Sequence, residues 1–117
     1  MSGPVDIAVS ERDGVLVVSV SGELDLFAAP ELRSRLLDEV RDGRREVVLD
    51  LRETTFMDST ALGVIIAALK TLQERHGRLV LVNERASIDK TLAITGLDRV
   101  LQVERGLDEA LAAAQGA

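Results

Sequence analysis

Short stretches rich in Val, Leu and Ile alternate along this chain with segments whose apolar residues recur at helical spacing. Two strand-like stretches come first, and each later one is separated from the next by a single helix-like segment. Strands joined by a tight turn run antiparallel, whereas strands joined through one helix run parallel in the same sheet. The sequence therefore predicts an α/β fold with the element order ββαβαβαβα, a mainly parallel five-stranded sheet with an antiparallel edge strand, and four helices.

Turn and stop residues set the expected boundaries of these elements. Asp13-Gly14 is a strong hairpin signal and pairs residues 5–10 with 15–21. Pro fits the first turn of a helix, where its missing N–H costs nothing, and Gly fits a helix end. The later elements are expected, in chain order, as a helix from Pro30 to Gly43, a strand at 46–51, a helix from Asp58 to about His76 that Gly77 closes, a strand at 78–83, a helix capped by Ser87 that ends at Gly96, a strand at 100–103 and a helix at 107–114.

The composition limits both the core and the class of protein. Hydrophobic residues make up 46% of the 117 residues but aromatic residues only 2%, namely Phe27 and Phe56. The core is therefore expected to consist of Leu, Val, Ile and Ala, in a single domain that spans residues 1–117. The chain has no Cys, no apolar run of membrane-spanning length and no basic-then-apolar leader. We therefore expect a cytoplasmic protein that has no disulfides and does not associate with a membrane.

The charge balance argues against nucleic acid as a partner. The chain has 14 Lys and Arg against 20 Asp and Glu, a net charge of −6, and its basic residues are scattered among acidic ones. Nucleic-acid-binding proteins usually present a basic face with aromatic residues for stacking. We therefore expect no direct nucleic-acid binding, and the acidic surface favours a basic protein partner.

The segment Phe56–Gly63 carries the most specific chemical signal in the chain. Asp58 fits an N-cap whose carboxylate accepts from the N–H of Thr60 or Ala61, which makes Ser59 the first helical residue. The first N–H groups of a helix have no partner within the helix, and the helix dipole is positive at that end. A phosphate on Ser59 would sit in a field that favours anions. The same residues also fit an ordinary helix start, and the local pattern alone leaves both interpretations open.

The helix that follows Asp58 has two contrasting faces. One face is small and partly apolar where an ordinary solvent face would carry Lys and Glu. Gly63 within a helix costs about 1 kcal/mol relative to Ala, so the close approach of another backbone, from a partner or from a neighbouring loop, would explain it. Leu62, Ile65, Leu69 and Leu72 form the expected core face, and Thr60, Gly63, Val64, Ala67 and Thr71 form the opposite face.

Several enzyme classes are excluded by the residues available. The single histidine, His76, lies about 17 residues along the helix from Ser59, or roughly 25 Å, too far to act as its base. One His, no Cys and no acidic cluster at ligand spacing leave no metal site, and no Gly-x-Gly-x-x-Gly follows a strand. Asp50 is interpreted as a carboxylate at a strand end. We therefore expect neither a serine hydrolase nor a protein with a metal or other cofactor.

Five segments carry a resemblance to a known family, namely Ser21–Asp25, Ala28–Leu32, Val47–Leu51, Phe56–Gly63 and Thr95–Val100. In their order and spacing they resemble the motifs of STAS domains, in particular those of the bacterial anti-sigma factor antagonists. The resemblance covers nearly the whole chain and implies a binding protein and not an enzyme. Many members have Ser-Gly where this chain has Thr60-Ala61, and neither change removes the acceptor serine.

The resemblance implies a switch controlled by phosphorylation. The family's phosphoacceptor falls on Ser59, with Thr60 as a minor alternative, and its partner-contacting Gly-Glu-Leu-Asp turn falls on Gly22–Asp25. The implied partners are an anti-sigma factor with serine kinase activity and a metal-dependent serine/threonine phosphatase, and the protein itself is expected to be a monomer. The alternative is a STAS scaffold or accessory subunit of a stressosome or a membrane transporter. The expected partner-binding residues are Glu23, Asp25, Asp58, Thr60, Gly63, Val64 and Ala67.

Overall fold

The computed structural model describes residues 5–116, so residues 1–4 and 117 of the expected domain lie outside the described part. The elements follow the predicted order. The strands are β1 (Asp6–Arg12), β2 (Val15–Leu24), β3 (Glu46–Met57), β4 (Arg78–Val82) and β5 (Gln102–Glu104). The helices are α1 (Ala29–Arg41), α2 (Ser59–Glu74), α3 (Ala86–Thr95) and α4 (Leu107–Ala114), and a 3-10 turn occupies Leu97–Arg99.

The strands form one sheet in the order β1-β2-β3-β4-β5. β1 is antiparallel to β2, and the other neighbouring pairs are parallel. Arg12 pairs with Val15, so the hairpin loop has two residues, Asp13 and Gly14, with φ angles of 53° and 81°. Positive φ at both positions is the requirement of a type I′ turn, which Asp-Gly satisfies well. The predicted fold class and hairpin are confirmed.

The sheet separates two layers of buried side chains. The larger layer lies between one face of the sheet and α1, α2 and α3, and the smaller layer lies between the other face and α4. Both layers consist almost entirely of aliphatic side chains, as the composition predicts. The main helical members of the larger layer are Leu32, Leu36 and Val40 of α1, Leu62, Ile65 and Leu72 of α2, and Ile88 and Leu92 of α3.

β2 and β3 are longer than the sequence predicts. The predicted ends at residues 21 and 51 are wrong because pairing continues to Leu24 and Met57 through two shifts in register. Such bulges let a strand continue through residues that do not alternate regularly. The hydroxyl of Thr54, fully buried beside one shift, donates to the carbonyl oxygen of Val20 at 2.9 Å. Asp50 therefore lies within β3 and is not at its end.

The boundaries of α3 and β5 also differ from the prediction. Ser87 does not cap α3, because the helix begins at Ala86 and the buried Asn83 organises the turn before it. The Asn83 side chain accepts from the N–H of Arg85 at 3.0 Å and donates to the Arg85 carbonyl at 3.1 Å. β5 begins at residue 102 and not at 100, because the N–H groups of residues 100 and 101 both donate to the carbonyl of Leu97. Gly96 ends α3 with φ 75°, as predicted.

The end of α2 uses its residues differently from the prediction. The exposed His76 lies just past the helix end and takes the left-handed conformation, with φ 61°, that the sequence assigned to Gly77. Gly77 has another role, because a Cβ there would lie 2.4 Å from the carbonyl oxygen of Arg45. A glycine is thus needed here for close approach of two backbone segments and not for its φ angle.

Candidate functional site

The carboxyl ends of β2 and β3 lie side by side and lead into α1 and α2. In the parallel register, Glu23 pairs with Phe56 and Leu24 pairs with Met57. The N–H of Asp58 also donates to the carbonyl oxygen of Leu24 at 3.3 Å. The two motifs to which the resemblance assigns partner contacts and phosphorylation are therefore neighbours in space.

Asp58 caps α2 as predicted. Its backbone is extended, and its Oδ1 atom accepts from the N–H of Ala61 at 3.0 Å. Its carbonyl accepts from the N–H of Leu62 at 3.1 Å, which closes the first turn. Met57 and Leu62, the two ends of the expected hydrophobic staple, are both buried in the larger core. The start of α2 is thus fixed on both its polar and its apolar sides.

Ser59 is the first residue of α2, and its side chain is exposed. The N–H groups of Ser59 and Thr60 find no hydrogen-bond acceptor among residues 5–116. Because those groups carry the positive end of the helix dipole, an anion on the Ser59 oxygen would be placed favourably. The geometry expected of a modifiable serine is present here.

The two faces of α2 are as predicted. The core face is buried throughout, and on the opposite face Thr60, Gly63 and Ala67 are exposed while Val64 is half-buried. A Cβ built on Gly63 meets no atom within 4 Å. No neighbouring loop of the described chain therefore explains this glycine.

Asp25 shapes the turn between β2 and α1. Its Oδ1 atom accepts from the N–H groups of Phe27 at 3.0 Å and Ala28 at 3.1 Å, and its carbonyl accepts from those of Ala28 and Ala29. Asp25 thus prepares the entry to α1, and Pro30 lies in the first turn of that helix. Both Asp25 and Glu23 are half-buried.

The sequence analysis assigned no role to three exposed apolar residues at this edge. Leu26 is 54% exposed, Phe27 76% and Phe56 50%. The core therefore contains neither of the chain's two aromatic residues. Their positions in the sequence could have indicated a role at the site, because Phe27 follows the Gly-Glu-Leu-Asp turn and Phe56 is the first residue of the segment Phe56–Gly63.

A polar pair, Asp50 and Arg52, lies further back on β3. The Nε and Nη2 atoms of Arg52 donate to the two carboxylate oxygens of Asp50 at 2.9 and 2.8 Å, and the backbone N–H of Arg52 donates a third hydrogen bond to the same carboxylate. Burial alone would raise the pKa of Asp50, but the hydrogen bonds and charge of Arg52 outweigh it and lower that pKa. The same contact with Asp50 raises the pKa of Arg52. Both oxygens of this carboxylate therefore accept hydrogen bonds within the protein.

Across the described residues, no group of three or more His, Cys, Asp or Glu is arranged to hold a metal ion. Among residues 5–116, no helix has both the length and the apolar character that a membrane span requires.

The chain is similar to known proteins over most of its length. Residues 6–110 match the STAS domain. Over 104 residues the chain is 32% identical to an anti-sigma-B factor antagonist of Staphylococcus aureus, covering 89% of this chain and 96% of the relative. It is 35% identical over 103 residues to an anti-sigma-B factor antagonist of Listeria monocytogenes, covering 86% and 89%. An anti-sigma factor antagonist from Mycobacterium paratuberculosis, known from a crystal structure, is 32% identical and gives a TM-score of 0.89, covering 98% and 99%.

The chain therefore belongs to the STAS-domain family of anti-sigma factor antagonists. The antagonists of this family are regulatory proteins and not enzymes, and so is this chain.

Proposed function

We propose that the unmodified protein binds, in the cytoplasm, an anti-sigma factor that is also a serine kinase, and so releases a sigma factor. Phosphorylation of Ser59 by that kinase abolishes binding, and a metal-dependent serine/threonine phosphatase restores it. The observation that supports this most is the position of Ser59, exposed at the first residue of α2 beside the cap Asp58. The names of the relatives from Staphylococcus aureus and Listeria monocytogenes support the class of partner.

The chemical step is a phosphoryl transfer from ATP held by the kinase. The Ser59 oxygen forms a bond to the γ-phosphorus, the bond to the bridging oxygen breaks, ADP leaves, and the hydroxyl proton passes to a base of the kinase. The product carries about −1.5 to −2 charges and three strong acceptor oxygens. An exposed hydroxyl at a helix start can enter a kinase active site without local unfolding.

The new charge acts on the interface and not on the fold. Within residues 5–116 the N–H groups of Ser59 and Thr60 have no acceptor, so they can donate to the phosphate oxygens and the helix tolerates the modification. A partner seated over the same spot would have to bury the phosphate beside the carboxylate of Asp58, which costs desolvation and like-charge repulsion. The same modification is therefore compatible with the free protein and incompatible with the complex.

The partner surface in this proposal is the outer side of α2 with the adjacent turn. Gly63 and Ala67 are exposed and leave room for a close approach, and half-buried Val64 adds apolar area. Thr60 is exposed next to Ser59, so its hydroxyl is the minor alternative acceptor. The full set of contacts is the one expected above: Glu23, Asp25, Asp58, Thr60, Gly63, Val64 and Ala67.

The test is phosphorylation of the purified protein by each purified anti-sigma factor of its host in the presence of Mg-ATP. We expect one phosphate per chain, located on Ser59 by peptide mass spectrometry. Ser59→Ala should bind the kinase at least as well as the wild type and take up no phosphate, while Ser59→Asp should weaken binding by at least about tenfold.

Ser87→Ala is the matched control, because Ser87 is also an exposed serine in the first turn of a helix. It should leave stoichiometry and binding unchanged. Full phosphorylation of Ser59→Ala would show that the acceptor is elsewhere, with Thr60→Ala as the next variant to examine. Lack of any phosphorylation, together with stable co-purification with a membrane transporter, would contradict the proposal and favour the accessory role.

A further inference from the structure

The exposed apolar residues Leu26, Phe27 and Phe56 share one edge of the sheet with Ser59. Phe56 is the register partner of Glu23, and Phe27 lies four residues further along the chain, beyond the end of β2. A phenylalanine that is 76% exposed gains nothing from the core, and large aromatic side chains are typical anchors of protein interfaces. These three residues are called the apolar edge below.

Acidic residues outnumber basic ones around the apolar edge, where Arg85 is the basic side chain that reaches in, donating from Nε to the carbonyl oxygen of Thr54 at 2.9 Å. The two segments that form this end of the molecule, residues 22–29 and 53–67, contain four acidic residues and no Lys or Arg. The net charge of the chain is −6, so two thirds of it comes from these two segments. The acidic residues are Glu23, Asp25, Glu53 and Asp58.

We propose that Phe27, assisted by Leu26 and Phe56, inserts into an apolar pocket of the anti-sigma factor, and that Arg or Lys side chains border that pocket. The proposal rests on the proposed function, because it names the chemistry of the same partner. It adds the apolar edge to the expected contact set and makes Phe27 the anchor of the interface.

The local structure prepares Phe27 for this role. Its N–H is held at 3.0 Å by the Oδ1 atom of Asp25, and the next N–H is held by the same atom at 3.1 Å. The backbone of the turn is therefore ordered before any partner arrives. Preorganisation of this kind lowers the entropy lost on binding, so the apolar area of Phe27 contributes more fully to affinity.

The charges decide between the possible occupants of the apolar edge. A second copy of this chain would bring a second set of four acidic residues against the first, which is unfavourable in an interface of low dielectric constant. An anionic membrane surface would be repelled for the same reason. A partner with basic residues around an apolar pocket matches both the apolar and the electrostatic character of the edge.

The first experiment measures the affinity of the full chain for the purified anti-sigma factor that binds the wild type most tightly. Phe27→Ala should weaken binding by about 30-fold, as for an interface anchor. Ile94→Ala is the matched control, because Ile94 on α3 is 74% exposed and lies outside both acidic segments. It should change the affinity by less than twofold, and both variants should keep the circular dichroism spectrum of the wild type.

The second experiment tests the basic border with two variants that change the net charge equally. Glu53→Lys at the apolar edge should slow association and reduce the salt dependence of the affinity. Glu74→Lys, at the far end of α2, should leave both nearly unchanged. Glu53 and Glu74 are both exposed, so neither change is expected to unfold the protein.

The outcomes separate this inference from the proposed function. If Ser59→Asp disrupts binding but Phe27→Ala does not, the proposed function stands and the anchor is wrong. If no anti-sigma factor binds the wild type, both are wrong. If sedimentation shows a wild-type dimer that Phe27→Ala dissociates, the occupant is a second copy and the inference is overturned.

Discussion

The Oδ1 atom of Asp58 accepts a hydrogen bond of 3.0 Å from the N–H of Ala61, while the N–H of Asp58 itself donates to Leu24. One residue thus fixes the start of α2 and joins it to the end of β2. Between these two contacts, the N–H groups of Ser59 and Thr60 have no acceptor in the part of the chain that the structure describes. The same local arrangement stabilises the fold and presents the serine.

Replacing this cap should reduce stability by a predictable amount. Asp58→Ala removes the acceptor for Ala61, so we expect a loss of about 1 kcal/mol in the free energy of unfolding. The melting temperature should fall by about 3–6 °C for a chain of this size. Asp58→Asn keeps a side-chain acceptor and should recover most of the loss, as measured by urea titration. Equal losses in both variants would contradict the role of the cap.

Gly63→Ala should separate stability from binding. A Cβ at this position meets no atom of the described residues within 4 Å, and Ala is the better helix former. The free energy of unfolding should therefore rise by up to about 1 kcal/mol. The added methyl group lies on the proposed partner surface, so affinity for the anti-sigma factor should fall. Thermal denaturation and calorimetric titration of the same sample measure the two effects. A more stable variant with unchanged affinity would remove Gly63 from the contact set.

Gly77→Ala should have the opposite effect on stability. The new Cβ would lie 2.4 Å from the carbonyl oxygen of Arg45, which also accepts the N–H of Arg78 at 2.7 Å. Both neighbours are backbone, so β3 and β4 would have to move apart where their pairing begins. We expect a loss of about 1–3 kcal/mol, measured by urea denaturation alongside Gly63→Ala. A neutral result would mean that these strands can separate at little cost.

Elements with regular patterns were predictable from the sequence. The Asp13-Gly14 hairpin, the cap at Asp58 and the two faces of α2 depend on local turn chemistry and on helical spacing, and all three are confirmed. The parallel direction of the later strands could be derived because single helices separate them.

The features that the sequence analysis did not predict have a common physical cause, because they depend on contacts between residues that are far apart in the chain. The extensions of β2 and β3 depend on bulges that Thr54 stabilises through a bond to Val20, 34 positions away. A glycine is required at position 77 because the backbone of Arg45, which is remote in sequence, lies close to it. The exposure of Phe27 depends on where β2 ends and α1 begins, which the local pattern did not show.

The Asp50–Arg52 pair should give the protein a defined loss of stability in acid. Because the pKa of folded Asp50 is lowered from its ordinary value of 3.8, the folded state binds a proton less readily than the unfolded state. The pair therefore stabilises the fold above about pH 4, and this contribution is lost as the pH falls through the lowered pKa.

Asp50→Asn should reduce the free energy of unfolding at pH 7 by about 1–2 kcal/mol, because Asp50 is buried but Arg52 is partly exposed. The same variant should flatten the pH dependence of the free energy of unfolding below about pH 4. Asp38→Asn, which alters an exposed pair with Arg41 at 4.0 Å, should change the unfolding free energy by less than about 0.5 kcal/mol. Urea titrations from pH 3 to 7 test this, and parallel curves for wild type and Asp50→Asn would show that the pair contributes no pH-dependent stability.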